Sequence, residues 1–114
     1  MSNRKIIAII TDVLGDRVVV GEQEFEHSID GHFTVIPKDI ILELLERILK
    51  DPTEIYRDDR KKEQIFNFFY RLERGPKFIV AVIKVTPDGA FFSSMYPTGK
   101  GPRNTHKNYK KVKI

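Results

Sequence analysis

The chain has 114 residues, of which 40% are hydrophobic and 32% are charged, and it contains no cysteine. This length allows one domain with one modest core, and the composition excludes wholesale disorder, disulfides, iron–sulfur clusters and a thiol nucleophile. The formal net charge of +4 favours encounters with polyanions, although the charge alone does not identify nucleic acid as a partner.

The N-terminal segment is predicted to form two strands. Lys5 to Ile10 is short, apolar and β-branched, as is typical of a buried strand, and residues 17–20 resume extended structure after a turn at residues 14–16. The two strands form either a hairpin or two separate strands. The apolar run is too short for a signal peptide, and no segment has the length of a membrane span. We therefore expect a cytoplasmic protein that does not contact a membrane.

A polar run from Glu26 to Phe33 follows and contains His27 and His32. Gly21 and Gly31 are its natural breakpoints, and a turn is expected at Asp30-Gly31. Histidine titrates near neutral pH, and a close pair can supply a base and an acid to one reaction. Five residues apart, the two do not share a helix face, but around a turn they can point into one cleft. The alternative is that one histidine packs beside the helix that follows and the other is exposed to solvent.

The clearest helix is predicted over residues 37–50. Pro37 is tolerated in a first helical turn, and Asp51-Pro52 ends the helix. Apolar residues recur at steps of three and four and form one face: Ile40, Ile41, Leu44, Leu45 and Ile48.

The C-terminal half is predicted to form an antiparallel meander after a charged loop at residues 58–63. Aromatic density favours a strand over residues 64–72, although a helix over residues 61–73 also fits the apolar spacing. Thr86-Pro87-Asp88-Gly89 is a strong turn signal. The predicted strands are residues 64–72, 78–85 and 90–96.

The tail, residues 98–114, is predicted to be a basic loop with a short edge strand that ends at Val112 or Ile114. The cations and the histidine of this tail are residue types that bind nucleic acid. The alternative is an ordinary solvated tail, which has the same residue types. The candidate substrate-binding residues here are Lys100, Arg103 and His106. Together the elements predict one α+β domain over residues 1–114, with N-terminal strands and a helix packed on the meander.

Hydroxyl groups gather at the end of the last meander strand. By strand alternation Ser94, Tyr96 and Thr98 share one face, next to a glycine-rich basic loop, which resembles an edge that holds phosphate. A solvated strand face is the alternative. Arg57 and Lys84 are further candidate cations for the substrate.

No cofactor or metal is expected. There is no HExxH signature, and a zinc site would need a third ligand beside the two histidines. The nearest candidates for that ligand are Glu22, Glu24, Glu26, Asp30 and His106.

Three motifs resemble the phage-associated branch of the barnase–EndoU–colicin–RelE-like nucleases. They are His27-Ser28-Ile29-Asp30-Gly31-His32, Asp51-Pro52-Thr53-Glu54-Ile55-Tyr56 and Ser94-Met95-Tyr96-Pro97-Thr98. The resemblance covers roughly residues 17–100. It departs from the family pattern at Ser94, where threonine is usual, and at Ser28, where isoleucine is usual. It implies an α+β (BECR-like) fold with a helix against a four- or five-stranded antiparallel sheet, and RNA cleavage by attack of the substrate's 2′-hydroxyl.

The sequence and the resemblance together predict a metal-independent endoribonuclease, as a toxin or a mobile-element protein. One of His27 and His32 takes the 2′-hydroxyl proton and the other protonates the leaving oxygen, while Ser94, Tyr96 and a cation stabilise the phosphate. RNA is the expected partner, and an inhibitor or immunity protein is a second. The alternatives are a non-catalytic module that binds RNA or protein and, third, a zinc-assisted hydrolase.

Overall fold

Seven strands form one mixed sheet in the part of the chain that this computed structural model describes, residues 5–73, 77–99 and 109–114. The strands are β1 (Ile6–Thr11), β2 (Arg17–Gly21), β3 (Glu54–Lys61), β4 (Gln64–Leu72), β5 (Phe78–Thr86), β6 (Gly89–Thr98) and β7 (Lys110–Val112). Their order is β1-β2-β6-β5-β4-β3-β7. Only β2 and β6 run parallel; the other neighbouring pairs are antiparallel. With the helices α1 (Glu22–His32) and α2 (Lys38–Lys50), the predicted α+β fold is confirmed.

Helix α2 is the predicted helix, and it covers one face of the sheet. It begins directly after Pro37 and ends before Asp51. Its fully buried residues are Ile41, Leu45, Ile48 and Leu49. Each such burial contributes roughly 1.5–3 kcal/mol relative to leaving the side chain in water. They share one core with the inward-facing sheet residues Ile55, Phe69, Ala81, Ile83 and Met95. No helix within the described ranges is long and apolar enough to cross a membrane.

Helix α1 contains the histidine run, so the predicted turn at Asp30-Gly31 is wrong. Phe25, Ile29 and Phe33 recur at steps of four and are buried in the main core. Gly31 costs roughly 1 kcal/mol in a helix interior, but it lies one residue from the helix end, and the buried apolar stripe outweighs that cost.

The opposite side of the sheet, here called the far face, carries a second and smaller core. Alternation along β3, β4 and β5 turns every second side chain away from the helices. Buried on the far face are Tyr56, Tyr70, Val80 and Val82. Partly buried around them are Phe66, Phe68, Phe78, Tyr96 and Tyr109. The end of β6 with Tyr96 therefore lies against an aromatic surface.

Three predictions at the sheet edges have different outcomes. β1 was expected to be buried, but it is an edge strand, and Ile6 and Ile9 are 54% and 50% exposed. Most of the predicted charged loop, residues 58–63, belongs instead to β3, because Asp58 pairs with Phe66 across the ladder to β4. The expected C-terminal edge strand is confirmed as β7, which pairs with β3.

Candidate active site

Helix α1 runs beside β6 at the point where strand pairing stops. In the described chain, β2 pairs with β6 only through Ala90 and Phe91. Beyond that point α1 takes the neighbouring position, and the Met95 backbone N–H donates to the Ser28 hydroxyl oxygen at 3.1 Å. Ser28 is buried. This hydrogen bond fixes the position of α1 along the strand.

The side chains of Glu24, Ser28 and His32 form a stripe on α1 that we call the edge stripe. They are four residues apart, so they lie above one another on the same helix face. Since Ser28 contacts the β6 backbone, the other two members also face this strand. The His32 ring centroid lies 6.1 Å from that of Tyr96, with the planes tilted by 49°. The structure therefore brings together one predicted histidine and one predicted phenol.

The hydroxyl residues of β6 lie on the far face beside this pair. Ser94, Tyr96 and Thr98 stand opposite Val82, Val80 and Phe78 in the ladder, so they share one face, as their alternation predicts. Lys84 stands opposite Phe66 and Phe91 on the same face. These side chains could hold a phosphate from the face while His32 approaches from the edge.

Burial changes the acidity of Tyr96. It raises the pKa of the phenol above its ordinary value, and the nearby Tyr109 raises that pKa further. Tyr96 therefore remains protonated well above neutral pH, and it is available there as a donor of a hydrogen bond or a proton.

Two predicted site residues lie elsewhere. His27 is exposed, and five helical residues turn it about 140° away from His32 around α1. Arg57 lies on the helix-bearing face of the sheet, where its Nε donates to the Asn67 Oδ1 at 2.9 Å. Arg57 is two residues from Ile55, whose side chain faces the main core. Strand residues two apart point to the same side of the sheet, so Arg57 also lies on the helix-bearing face.

Three further predicted contacts belong to the C-terminal basic segment. Lys100, Arg103 and His106 lie outside the described residues. Within the described ranges, no group of three or more histidine, aspartate or glutamate side chains is arranged to hold a metal ion.

Sequence reasoning missed the structural role of Ser28 and the position of Glu24. The available signal was the four-residue spacing of Glu24, Ser28 and His32, which becomes informative once residues 22–32 are taken as a helix. The missed contact connects the helix that carries His32 to the strand that carries Tyr96.

Replacing Ser28 with alanine should destabilise the protein and loosen the site. The change leaves the buried Met95 N–H without its acceptor, and we expect a loss of about 1–3 kcal/mol in the free energy of unfolding. Urea unfolding measures this loss. Ser93→Ala is the matched control, because Ser93 is an exposed serine on β6, the strand of Met95, and should change stability by less than about 0.5 kcal/mol. Equal effects of the two substitutions would contradict the role given to Ser28.

A family model described as phage-Barnase-EndoU-ColicinE5/D-RelE like nuclease2 matches residues 2–113. No curated protein and no solved structure matches the chain. The family match covers nearly the whole chain, and it agrees with the α+β fold. The chain belongs to this family of phage-related BECR-type nucleases, and its substrate is nucleic acid.

Proposed function

We propose that this nuclease is a metal-independent endoribonuclease in which His32 and Tyr96 carry the two proton transfers. The observation that carries the proposal is the 6.1 Å approach of the two rings beside a sheet face rich in hydroxyl groups. Histidine is the side chain best suited to accept a proton near neutral pH, and a protonated phenol can donate one.

The proposed reaction begins with the substrate's 2′-hydroxyl. His32 takes its proton while the 2′-oxygen attacks the adjacent phosphorus, and a 2′,3′-cyclic phosphate forms. The bond from phosphorus to the 5′-oxygen breaks, and Tyr96 gives its proton to that leaving oxygen. The hydroxyls of Ser94 and Thr98 donate to the non-bridging oxygens, and the ammonium of Lys84 offsets the charge that develops there.

The far face is suited to a single strand of RNA. Phe66 and Phe78 are only partly buried there, so they supply aromatic surface for a stacked base. The net charge of +4 adds a general attraction to the phosphate backbone. An endoribonuclease that is not restrained damages the RNA of the cell that makes it. The proposal therefore includes a toxin or mobile-element role in the cytoplasm, with an inhibitor protein as partner.

The test is cleavage of an end-labelled single-stranded RNA in excess EDTA. We expect undiminished cleavage and a product that ends in a 2′,3′-cyclic phosphate. The same sequence as DNA or as 2′-O-methyl RNA should remain intact, because it lacks the attacking hydroxyl. Cleavage of DNA at a comparable rate, or activity that EDTA abolishes and a metal restores, would overturn the proposal. A folded sample that binds RNA and cuts none would favour a binding module instead.

A further inference from the structure

A cavity of about 380 Å³ opens next to the proposed site, between the start of α1 and the β5–β6 hairpin. Its wall includes the carboxylate-bearing Glu24, the ammonium-bearing Lys84, the ring of Phe91 and the hydroxyl-bearing Ser93. Of these residues, only Lys84 takes part in the proposed cleavage. The cavity combines an apolar ring, hydrogen-bond acceptors and a cation, as binding sites for a nucleotide do.

An irregularity in β6 forms one wall of the cavity. Val82 pairs with Ser94, whereas Ile83 pairs with Phe92, so Ser93 is an extra residue that lacks a partner in the ladder to β5. Such a bulge redirects the side chains around it. Here the consecutive serines separate: Ser93 lines the cavity and Ser94 lies on the far face beside Tyr96.

Glu24 is held over a glycine at the beginning of α1. A Cβ atom added to Gly21 would lie 2.8 Å from the Glu24 Oε2, closer than real Cβ atoms approach such an atom. Gly21 therefore leaves the space that the carboxylate occupies. A carboxylate has about four acceptor positions on its two oxygens, so it can accept from a ligand in addition to its contacts within the protein.

The distance between the cavity and the proposed cleavage site allows one RNA strand to place adjacent nucleotides in the two. Ser93 precedes Tyr96 by about 10 Å of strand, and Glu24 precedes His32 by about 12 Å of helix. Helix α1 and strand β6 run in the same direction from the cavity to the proposed cleavage site. Lys84 lies on the far face and also lines the cavity, so its charge can serve the phosphate that joins the two nucleotides.

We propose that this cavity binds the base of the nucleotide next to the cleaved phosphate and selects bases with an exocyclic amino group over uracil. The inference rests on the proposed function. The Glu24 carboxylate only accepts hydrogen bonds, and the amino groups of cytosine, adenine and guanine donate them. Uracil presents one N–H between two carbonyl oxygens, which a carboxylate repels. The Phe91 ring supplies a surface on which the selected base stacks.

The test compares the binding of cytidine 3′-monophosphate and uridine 3′-monophosphate by NMR titration. We expect the cytidine nucleotide to bind roughly 5- to 150-fold more tightly, the usual size of a base-specific contact. The backbone signals of Phe91 and Ser93 should shift on binding. Equal affinities, or shifts confined to other parts of the protein, would overturn the inference.

Two variants test whether the Glu24 carboxylate causes the preference for the cytidine nucleotide. Glu24→Gln retains the shape and removes the charge, and it should reduce the preference to less than about twofold, since an amide also donates to uracil. Gly21→Ala keeps Glu24 but displaces its carboxylate, so it should weaken the preference as well. Glu43→Gln, an equal change of charge at an exposed residue of α2, should leave the preference intact. An unchanged preference in both cavity variants would contradict the role given to Glu24.

The binding measurement does not depend on cleavage, so the two proposals can fail separately. A protein that prefers the cytidine nucleotide through Glu24 but cuts no RNA would overturn the ribonuclease proposal alone. A protein that cuts RNA with full dependence on His32, and binds the two nucleotides equally, would overturn the cavity proposal alone.

Discussion

Replacing His32 with alanine is expected to slow RNA cleavage by roughly a hundredfold or more, the usual contribution of a general base. His32 lies beside Tyr96 at the edge of the hydroxyl-bearing face. Without its imidazole, no positioned group takes the proton of the 2′-hydroxyl. The side chain is exposed, so the fold should survive the change with little loss of stability. Single-turnover cleavage of a short RNA measures the effect.

The matched control is His27→Ala. It removes the same chemical group from the same helix, at a position about 140° away around the axis. We expect less than about a twofold change in rate, and unchanged affinity of either variant for 2′-O-methyl RNA. A large loss in both variants would restore the two-histidine mechanism that the sequence predicts. Full activity in His32→Ala would remove His32 from the mechanism.

Replacing Tyr96 with phenylalanine should also cost roughly a hundred- to a thousandfold in rate, because it removes a single positioned donor from the reaction. The ring remains, so its packing with the far-face core and its approach to His32 are retained. The free energy of unfolding should therefore change little. Rate and stability measured on the same sample separate a chemical role of the phenol from a structural one.

Ser94→Ala is the comparison for the phenol. It removes one hydroxyl from the same face, and we expect a smaller loss than for Tyr96→Phe, since the Ser94 hydroxyl would stabilise the phosphate without transferring a proton. If Tyr96→Phe retained most of the activity while Ser94→Ala lost it, the proton donor would have to lie elsewhere on the far face.

Helix α2 and the strands of the meander could be predicted because their signals are local. The apolar residues of α2 recur with helical spacing, and the turn at Thr86-Pro87-Asp88-Gly89 fixes where β5 and β6 meet. Helix α1 could not be predicted in this way, because its sequence is mostly polar and includes Gly31. It is held by packing of Phe25 and Ile29 on distant strands, and tertiary contacts of this kind outweigh local preference.

The candidate site likewise has one part that local sequence predicts and one part that depends on tertiary contacts. Strand alternation alone predicts that Ser94, Tyr96 and Thr98 share a face. The approach of His32 to Tyr96 depends on the position of α1 along β6, which the Ser28 contact with Met95 sets across 67 residues of sequence. No local pattern contains that information.

The position of Arg57 could not be predicted for a related reason. Which face of β3 it occupies follows from which residues of that strand enter the core, and Ile55 does so. From the local sequence alone, either face of the strand was available to the guanidinium.

The most direct test of the proposed pair is the pH dependence of kcat/KM for RNA cleavage between about pH 5 and pH 9. A histidine base must be neutral to accept a proton, so the rate should rise with pH on the acidic side of the profile. The acid must be protonated, and burial raises the pKa of Tyr96, so the rate should then stay level to about pH 9. A bell-shaped profile that falls above about pH 7 is expected when one histidine is the base and another is the acid. Such a profile would contradict the assignment of Tyr96 as the acid.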